Sequence, residues 1–307
     1  MPAGLLNYIA WPECDRLYLE KSFYKRQNII VPQDVILKTD NPILLPTYLA
    51  LYIMAVPDMD LVYNRELTLQ WLCKSVKILH KVQLRKAHYD MMTDALCYLE
   101  NKKYITLYQF VPKSTNRFSY TFAENLKEEI LNNNGGHKCR FAFLNIVELR
   151  NLLNRMTRSD KNWKVVSNAL TVYTYLKLEG AVWQYKHCCK KVPVWVGYMS
   201  GISKELNISA NTITSIIKYL KEMNFITPVY GVRNADDGKT APTILVFREL
   251  CNGDEEKVIK ECQSAIKNED DHIKWYYPGY APAAKKSGNC HYDEAALDVV
   301  CDEDELY

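Results

Sequence analysis

Apolar residues recur at helical spacing along two stretches of this chain, and each stretch ends in a β-rich run. In the downstream stretch, Val165 to Leu178 has apolar side chains at 165, 166, 169, 170, 173 and 176, one side of a helix. Ser200 to Leu206 predicts a short helix and Asn207-Ile208-Ser209 a turn. Ser209 then stands where its hydroxyl can accept a free backbone N–H of the next helix. That helix, Ala210 to Met223, places Ile213, Ile216, Ile217 and Leu220 on one face. Phe225 to Tyr230 is β-rich, Arg233-Asn234-Ala235-Asp236-Asp237-Gly238-Lys239 is a polar turn-forming tip, and Thr243 to Phe247 predicts the returning strand. One more helix is expected from Glu255 to Lys267.

The upstream stretch repeats this order more loosely. Helices are expected at Ile43 to Val56, Glu66 to Cys73 and His88 to Asn101, with a long turn, Lys74 to Arg85, before the third. Strands are expected at Lys103 to Phe110 and Phe118 to Phe122, around the tip Pro112-Lys113-Ser114-Thr115-Asn116-Arg117. The two stretches also share residues. Leu96-Cys97-Tyr98-Leu99-Glu100-Asn101-Lys102-Lys103-Tyr104-Ile105-Thr106 and Ile217-Lys218-Tyr219-Leu220-Lys221-Glu222-Met223-Asn224-Phe225-Ile226-Thr227 both read apolar-x-Tyr-Leu-x4-aromatic-Ile-Thr, at an offset of 121. The same offset pairs Met92 with Ile213, and Leu49-Ala50-Leu51-Tyr52 with Leu170-Thr171-Val172-Tyr173. Two copies of this length indicate a duplicated domain rather than a solenoid.

Helix, helix, turn, helix and β-hairpin is the order of a winged helix. Gly201 to Ile213 closely resembles the helix-turn-helix of winged-helix DNA-binding proteins. Apolar residues hold its packing positions (Ile202, Leu206, Ile208, Ile213), and small polar residues open its second helix. The expected fold class is therefore mainly α with small β-hairpin wings (α+β), as two winged-helix domains in tandem. The expected divisions are 1–131 for the first domain with a β-rich lead-in at Asn28-Ile29-Ile30-Val31-Pro32, and 132–140 for a linker holding Asn132 to His137. The second domain takes 141–252, and 253–307 is an acidic, partly disordered tail. Trp275, Tyr276 and Tyr277 could dock on the body or on a partner.

Charge sharpens this picture. Residues 253–307 carry 14 acidic and 6 basic side chains, a net of −8, whereas residues 1–252 carry 33 basic and 22 acidic, a net of +11. A basic body with an acidic tail is a recurring layout in proteins that meet nucleic acid, though a solvated surface gives the same totals. The apolar stretch from Ile43 to Pro57 is too short to span a bilayer and is broken by Pro46. The first residues lack a basic start, and Glu13, Asp15 and Arg16 interrupt any apolar run, so no signal peptide is expected. The 10 cysteines are scattered without a CxxC, as in a reduced cytoplasmic protein. His137/Cys139, His187/Cys188/Cys189 and Cys290/His291 lack zinc spacing, so neither a metal nor another cofactor is expected. The 22 tyrosines suit thin cores, where a ring packs while its hydroxyl finds a polar partner.

The candidate chemistry is recognition. In a major groove, the N-terminal residues of the second helix approach base edges. Here those are Ser209, Ala210, Asn211, Thr212, Thr214 and Ser215. The Asn211 amide can pair with adenine, Thr212 and Ser215 can reach bases or phosphates, and Lys218 suits a phosphate. Lys204 on the preceding helix, with Arg233 and Lys239 on the wing, would position the DNA backbone. The bland reading is that Ser, Asn and Thr only cap and solvate the helix. In the first copy, His80, Lys81, Arg85, Lys86 and His88, with Lys113 and Arg117 on the wing, suit phosphate contacts or a solvated basic face equally well. Arg150, Arg155, Arg158, Lys161 and Lys164 lie in the connector. There is no Gly-rich phosphate loop, GxSxG or HExxH, and Asp236-Asp237-Gly238 reads as a turn. No His-x-His metal motif accompanies any tyrosine, which weakens a relaxase reading. The chain is expected not to be an enzyme.

Two winged helices in about 250 residues, the Asn28–Pro32 lead-in and the basic body resemble plasmid- and phage-type replication initiator (Rep) proteins. The resemblance covers residues 24–250 in architecture and is specific in motif at Ile202–Thr227 and Leu96–Thr106. It implies that one unit dimerises or contacts DNA while the other grips repeated origin sites, the second unit being the stronger reader. The alternatives are a transcriptional regulator binding one palindromic operator as a homodimer, and a winged-helix module that binds protein. The expected partners are double-stranded DNA, a second copy of the chain, and a replication or transcription protein met through the C-terminal tail.

Overall fold

In a computed structural model of the protein, the described residues are 28–55, 62–79, 81–124, 126, 129–130, 141–159, 161–187, 194–233, 241–248, 254–267 and 273–276. They form an α+β structure of helices and small antiparallel sheets. Two compact units emerge, Met1–Leu178 and Glu179–Tyr307. Among the described residues no helix is long and apolar enough to cross a membrane.

The first unit contains β1 (Asn28–Pro32), α1 (Gln33–Leu37), α2 (Leu44–Ala55), β2 (Val62–Leu67), α3 (Leu69–Ser75), a 3₁₀ turn (Lys77–Leu79), α4 (Lys86–Asn101), β3 (Ile105–Tyr108), β4 (Phe118–Phe122), β5 (Phe141–Asn145), α5 (Ile146–Met156) and the start of α6 (Trp163–His187). Every residue of α2 is buried, so it is apolar all round rather than one-sided, and the other elements gather on it. Tyr48 and Tyr52 of α2 meet Phe122 of β4 edge-on, with ring centres 5.7 and 5.3 Å apart. This core satisfies its hydroxyls internally: Tyr120 donates to the Leu51 carbonyl at 2.7 Å, and Tyr104 to the Asp34 carboxylate at 2.8 Å. Tyr98 also donates to Asp34, at 3.1 Å. Burial, with Asp34 alongside, raises the Tyr98 pKa.

β1 pairs antiparallel with β5, Ile30 opposite Phe143. That pairing draws residues beyond 140 back onto the N-terminal half. On α5, Glu148 is buried and receives the Tyr173 hydroxyl and the Lys177 ammonium, both from α6. The second unit contains β6 (Val194–Gly197), α7 (Met199–Leu206), α8 (Ala210–Glu222), β7 (Ile226–Arg233), β8 (Thr243–Phe247), α9 (Glu255–Lys267) and β9 (Ile273–Tyr276), with strand order β6-β8-β7-β9. Gly180 lets α6 come close to β6: a methyl there would stand 2.5 Å from the Val194 carbonyl oxygen.

The offset of 121 has a structural counterpart. α2–β2–α3–α4–β3–β4 and α6–β6–α7–α8–β7–β8 follow the same order. In both, the first strand pairs with the last, as β2-β4-β3 and as β6-β8-β7. The shared Leu-x4-aromatic motif closes the longer helix of each copy. Lys103 (φ 56°) and Asn224 (φ 59°) are left-handed. Tyr104 N–H donates to the Leu99 carbonyl and Phe225 N–H to the Leu220 carbonyl, both at 3.0 Å. Lys103 and Asn224 N–H donate to Glu100 and Lys221 carbonyls, both at 2.8 Å. These two bonds define the Schellman ending, in which an apolar residue just past the helix packs on one in its last turn. Leu99, Tyr104, Leu220 and Phe225 are fully buried.

The structure differs from sequence expectation in several places. Glu66 and Leu67 belong to β2, not to a helix, and β6 precedes α7; each strand alternates too briefly to register against its helical neighbours. The compact units part between Leu178 and Glu179, within α6, instead of at the linker expected over 132–140, because β5 pairs with β1. Residues 255–267 and 273–276 join the second unit instead of forming part of a tail. Ile259, Cys262 and Ile266 of α9 join Val194, Val229, Ile244 and Val246 in one core, and β9 pairs with β7, Trp275 opposite Gly231. The linker 132–140 and residues 277–307, Tyr277 among them, lie outside the described residues.

Candidate nucleic-acid interface

The α7–α8 corner is built from short-range hydrogen bonds. α7 ends at Asn207, which turns left-handed (φ 52°, ψ 39°), a conformation Asn tolerates better than most residues. Ser203 clamps the turn: its hydroxyl donates to the Ile208 carbonyl at 2.6 Å, and its carbonyl receives the Ile208 N–H at 3.2 Å. Ser209 caps α8, its hydroxyl oxygen accepting the Thr212 N–H at 3.2 Å. Ile202, Leu206, Ile213, Ile216, Ile217 and Leu220 form the buried side of the corner.

The opposite side of α8 carries Asn211, Ser215 and Lys218 at i, i+4 and i+7, so they share one face. Asn211 and Lys218 are exposed, as is Lys204 on α7. Asn211 has no internal hydrogen-bond partner among the described residues, which leaves its amide available to a ligand. Three other candidates are committed locally. The Thr214 hydroxyl donates to the Ala210 carbonyl at 3.0 Å, and the Ser209 and Thr212 hydroxyls bond each other at 2.8 Å. Their side chains shape the helix start more than they offer it to a partner. Arg233 ends β7, and Lys239 lies outside the described residues. Sequence reasoning did not include Tyr198, which is 49% exposed immediately before α7. Its only sequence signal is an aromatic set between Gly197 and a helix.

The corresponding face of the first unit differs. Arg85 and Lys86 are exposed at the start of α4, and Lys113 is exposed on the loop between β3 and β4. Arg117, also on that loop, pairs with Glu66 at 2.8 Å, which neutralises part of its charge. His88 is corrected: it is buried, its Nδ1 accepts the Arg85 backbone N–H at 2.9 Å, and its ring lies 5.5 Å from that of Trp163. It caps α4 and is not a phosphate contact. The positions equivalent to Asn211 and Ser215 are Asp90 and Asp94, whose charges oppose a phosphate backbone. His80 lies outside the described residues.

Among the described residues no group of three or more His, Cys, Asp or Glu could hold a metal ion. Cys73 and Cys262 are buried free thiols, and burial pushes the Cys73 pKa up to about 12. No family model, curated protein or solved structure matches this chain. The functional reading therefore comes from its own geometry.

Proposed function

We propose that this protein binds double-stranded DNA in the cytoplasm through two winged-helix domains, with α8 as the helix that enters the major groove. The observation that carries the reading is the α7–α8 corner, whose outer face presents Asn211, Ser215 and Lys218 and which runs into the β7–β8 hairpin. An exposed Asn amide can bond both the acceptor and the donor of an adenine edge, and flanking lysines suit phosphates. Binding, not catalysis, is the activity proposed. The finer assignment is a replication initiator that grips repeated sites, for which the duplicated architecture is the support.

Selection of bound duplexes from a random pool, using the full chain, tests this. Anisotropy on the selected site and on a scrambled duplex would follow across a salt series. Affinity for both should fall steeply with salt. Asn211→Ala should weaken the selected site by about 1–3 kcal/mol and the scrambled one little, because base contacts carry specificity. Repeated selected motifs support the initiator, and a single palindrome supports an operator-binding regulator. Absence of salt-dependent affinity for any duplex would sink the DNA reading.

A further inference from the structure

Two segments of the first unit are strongly basic. Residues 77–88, which run from the 3₁₀ turn into α4, hold four Lys and Arg and no Asp or Glu. Residues 155–164, which join α5 to α6, hold four Lys and Arg against the single acid Asp160. The fold brings the two segments together. The His88 ring of α4 lies 5.5 Å from the Trp163 ring of α6, and the Lys164 ammonium stands 6.0 Å over that same indole. Lys77 feels one charge from each segment: burial first, then Lys81 and Arg158, lower its pKa to about 8. Lys81, Arg85, Lys86, Arg158, Lys161 and Lys164 are all exposed, and none pairs with a carboxylate among the described residues. We propose that these six cations form a second DNA contact, which grips the phosphate backbone of a duplex without reading its bases. The proposal rests on the DNA reading of α8 and gives the first unit a task within it.

Three observations favour a duplex. The exposed large apolar side chains, Tyr108, Val111, Phe143, Val147 and Tyr198, all lie outside the two segments. Cations without apolar company suit phosphates, whereas a protein interface is built around an apolar core and a membrane surface needs apolar anchors. A single strand would be held on aromatic rings against which its bases stack. Here Trp163 is half-buried and already engaged by His88 and Lys164, so the patch offers charge and not a stacking platform. Finally, α4 carries Asp90 and Asp94 where α8 carries Asn211 and Ser215. Carboxylates there repel a phosphate backbone, so the first unit would hold DNA through this flank rather than through the helix face.

The test uses the full-length protein, the selected and scrambled duplexes, and anisotropy across a salt series. Lys81→Gln, Arg158→Gln and Lys161→Gln together should lower the slope of log affinity against log salt by about 2–3, since each lost phosphate contact removes about 0.9. Both duplexes should weaken alike, leaving their affinity ratio within about twofold of wild type. Lys103→Gln, Lys257→Gln and Lys260→Gln, at three exposed positions outside the patch, remove the same net charge and should leave the slope unchanged. Lys81→Arg, Arg158→Lys and Lys161→Arg together keep the charge and should keep the slope, which separates a lost contact from a damaged fold. The proposal is overturned if the first triple variant keeps the wild-type slope, if the control triple lowers it as much, or if only the selected duplex weakens. It is equally overturned if a single strand binds the wild type more tightly than the duplex and loses that advantage in the first triple variant, since the patch would then be a single-strand site. None of these outcomes touches α8. The DNA reading itself fails, and this proposal with it, only when the wild type shows no salt-dependent affinity for any duplex.

Discussion

The two copies of the helix-helix-hairpin unit end alike and begin differently. Both close their longer helix with a Schellman turn at positions 121 apart, and both place the first strand beside the last. At the start of that helix they diverge. α7 and α8 are joined by three residues, Asn207 to Ser209, whereas α3 and α4 are joined by Val76 to Arg85, with a 3₁₀ turn inside. Ser209 aligns with His88, and both cap their helix, one through a hydroxyl and the other through a buried ring. Asn211 and Ser215 face Asp90 and Asp94 across the alignment. The two copies thus agree where residues pack and differ where they are exposed: buried residues are constrained by neighbours on every side, exposed ones far less.

The largest expected effect tests the shared ending. Leu99→Ala and Leu220→Ala each remove a fully buried side chain at the same position of the motif, and each should cost about 2–5 kcal/mol in urea denaturation. A small cost in one copy alone would break the equivalence. Next is the divergent face. Asn211→Ala should lose about 1–3 kcal/mol of affinity for the selected duplex, while Asp90→Ala, at the aligned position, should lose none. Equal losses would make α4 a second reader.

Capping gives a smaller contrast. Ser209→Ala should cost about 1 kcal/mol of stability by leaving the Thr212 N–H unpaired, whereas Arg85→Ala should cost little, since only the Arg85 backbone serves its cap. The smallest effect concerns the left-handed residues. Lys103→Gly should raise stability by about 1 kcal/mol by relieving a side chain held at φ 56°. Asn224→Gly should not, because the Asn224 amide oxygen accepts from Arg248 at 2.8 Å and that bond would be lost. Paired urea curves of the two variants decide this.

Much of the second unit was legible in the sequence. The spacing of Ile213, Ile216, Ile217 and Leu220 gives a one-sided helix that tertiary contacts have no reason to overrule, and α8 and β8 fall where the pattern placed them. The cap at Ser209 was equally legible, since it uses a hydroxyl within one turn. His88 was misjudged because an imidazole in a basic run looks solvated; only the packing of Trp163 and the Arg85 N–H reveal it as internal. β2 and β6 were missed because a strand of four to six residues gains its meaning from a partner far along the chain, here β4 and β8.

What the sequence alone determined is local: helix faces, the polar corner at Asn207–Ser209, and the repeated Leu-x4-aromatic helix ending. Each depends on residues within about one or two turns of one another, where bonding options are few. Only the tertiary structure decided where the units divide, and that α9 and β9 join the second unit. Those outcomes depend on which distant strands and helices bury each other's apolar sides, and hydrophobic burial carries no record of sequence distance.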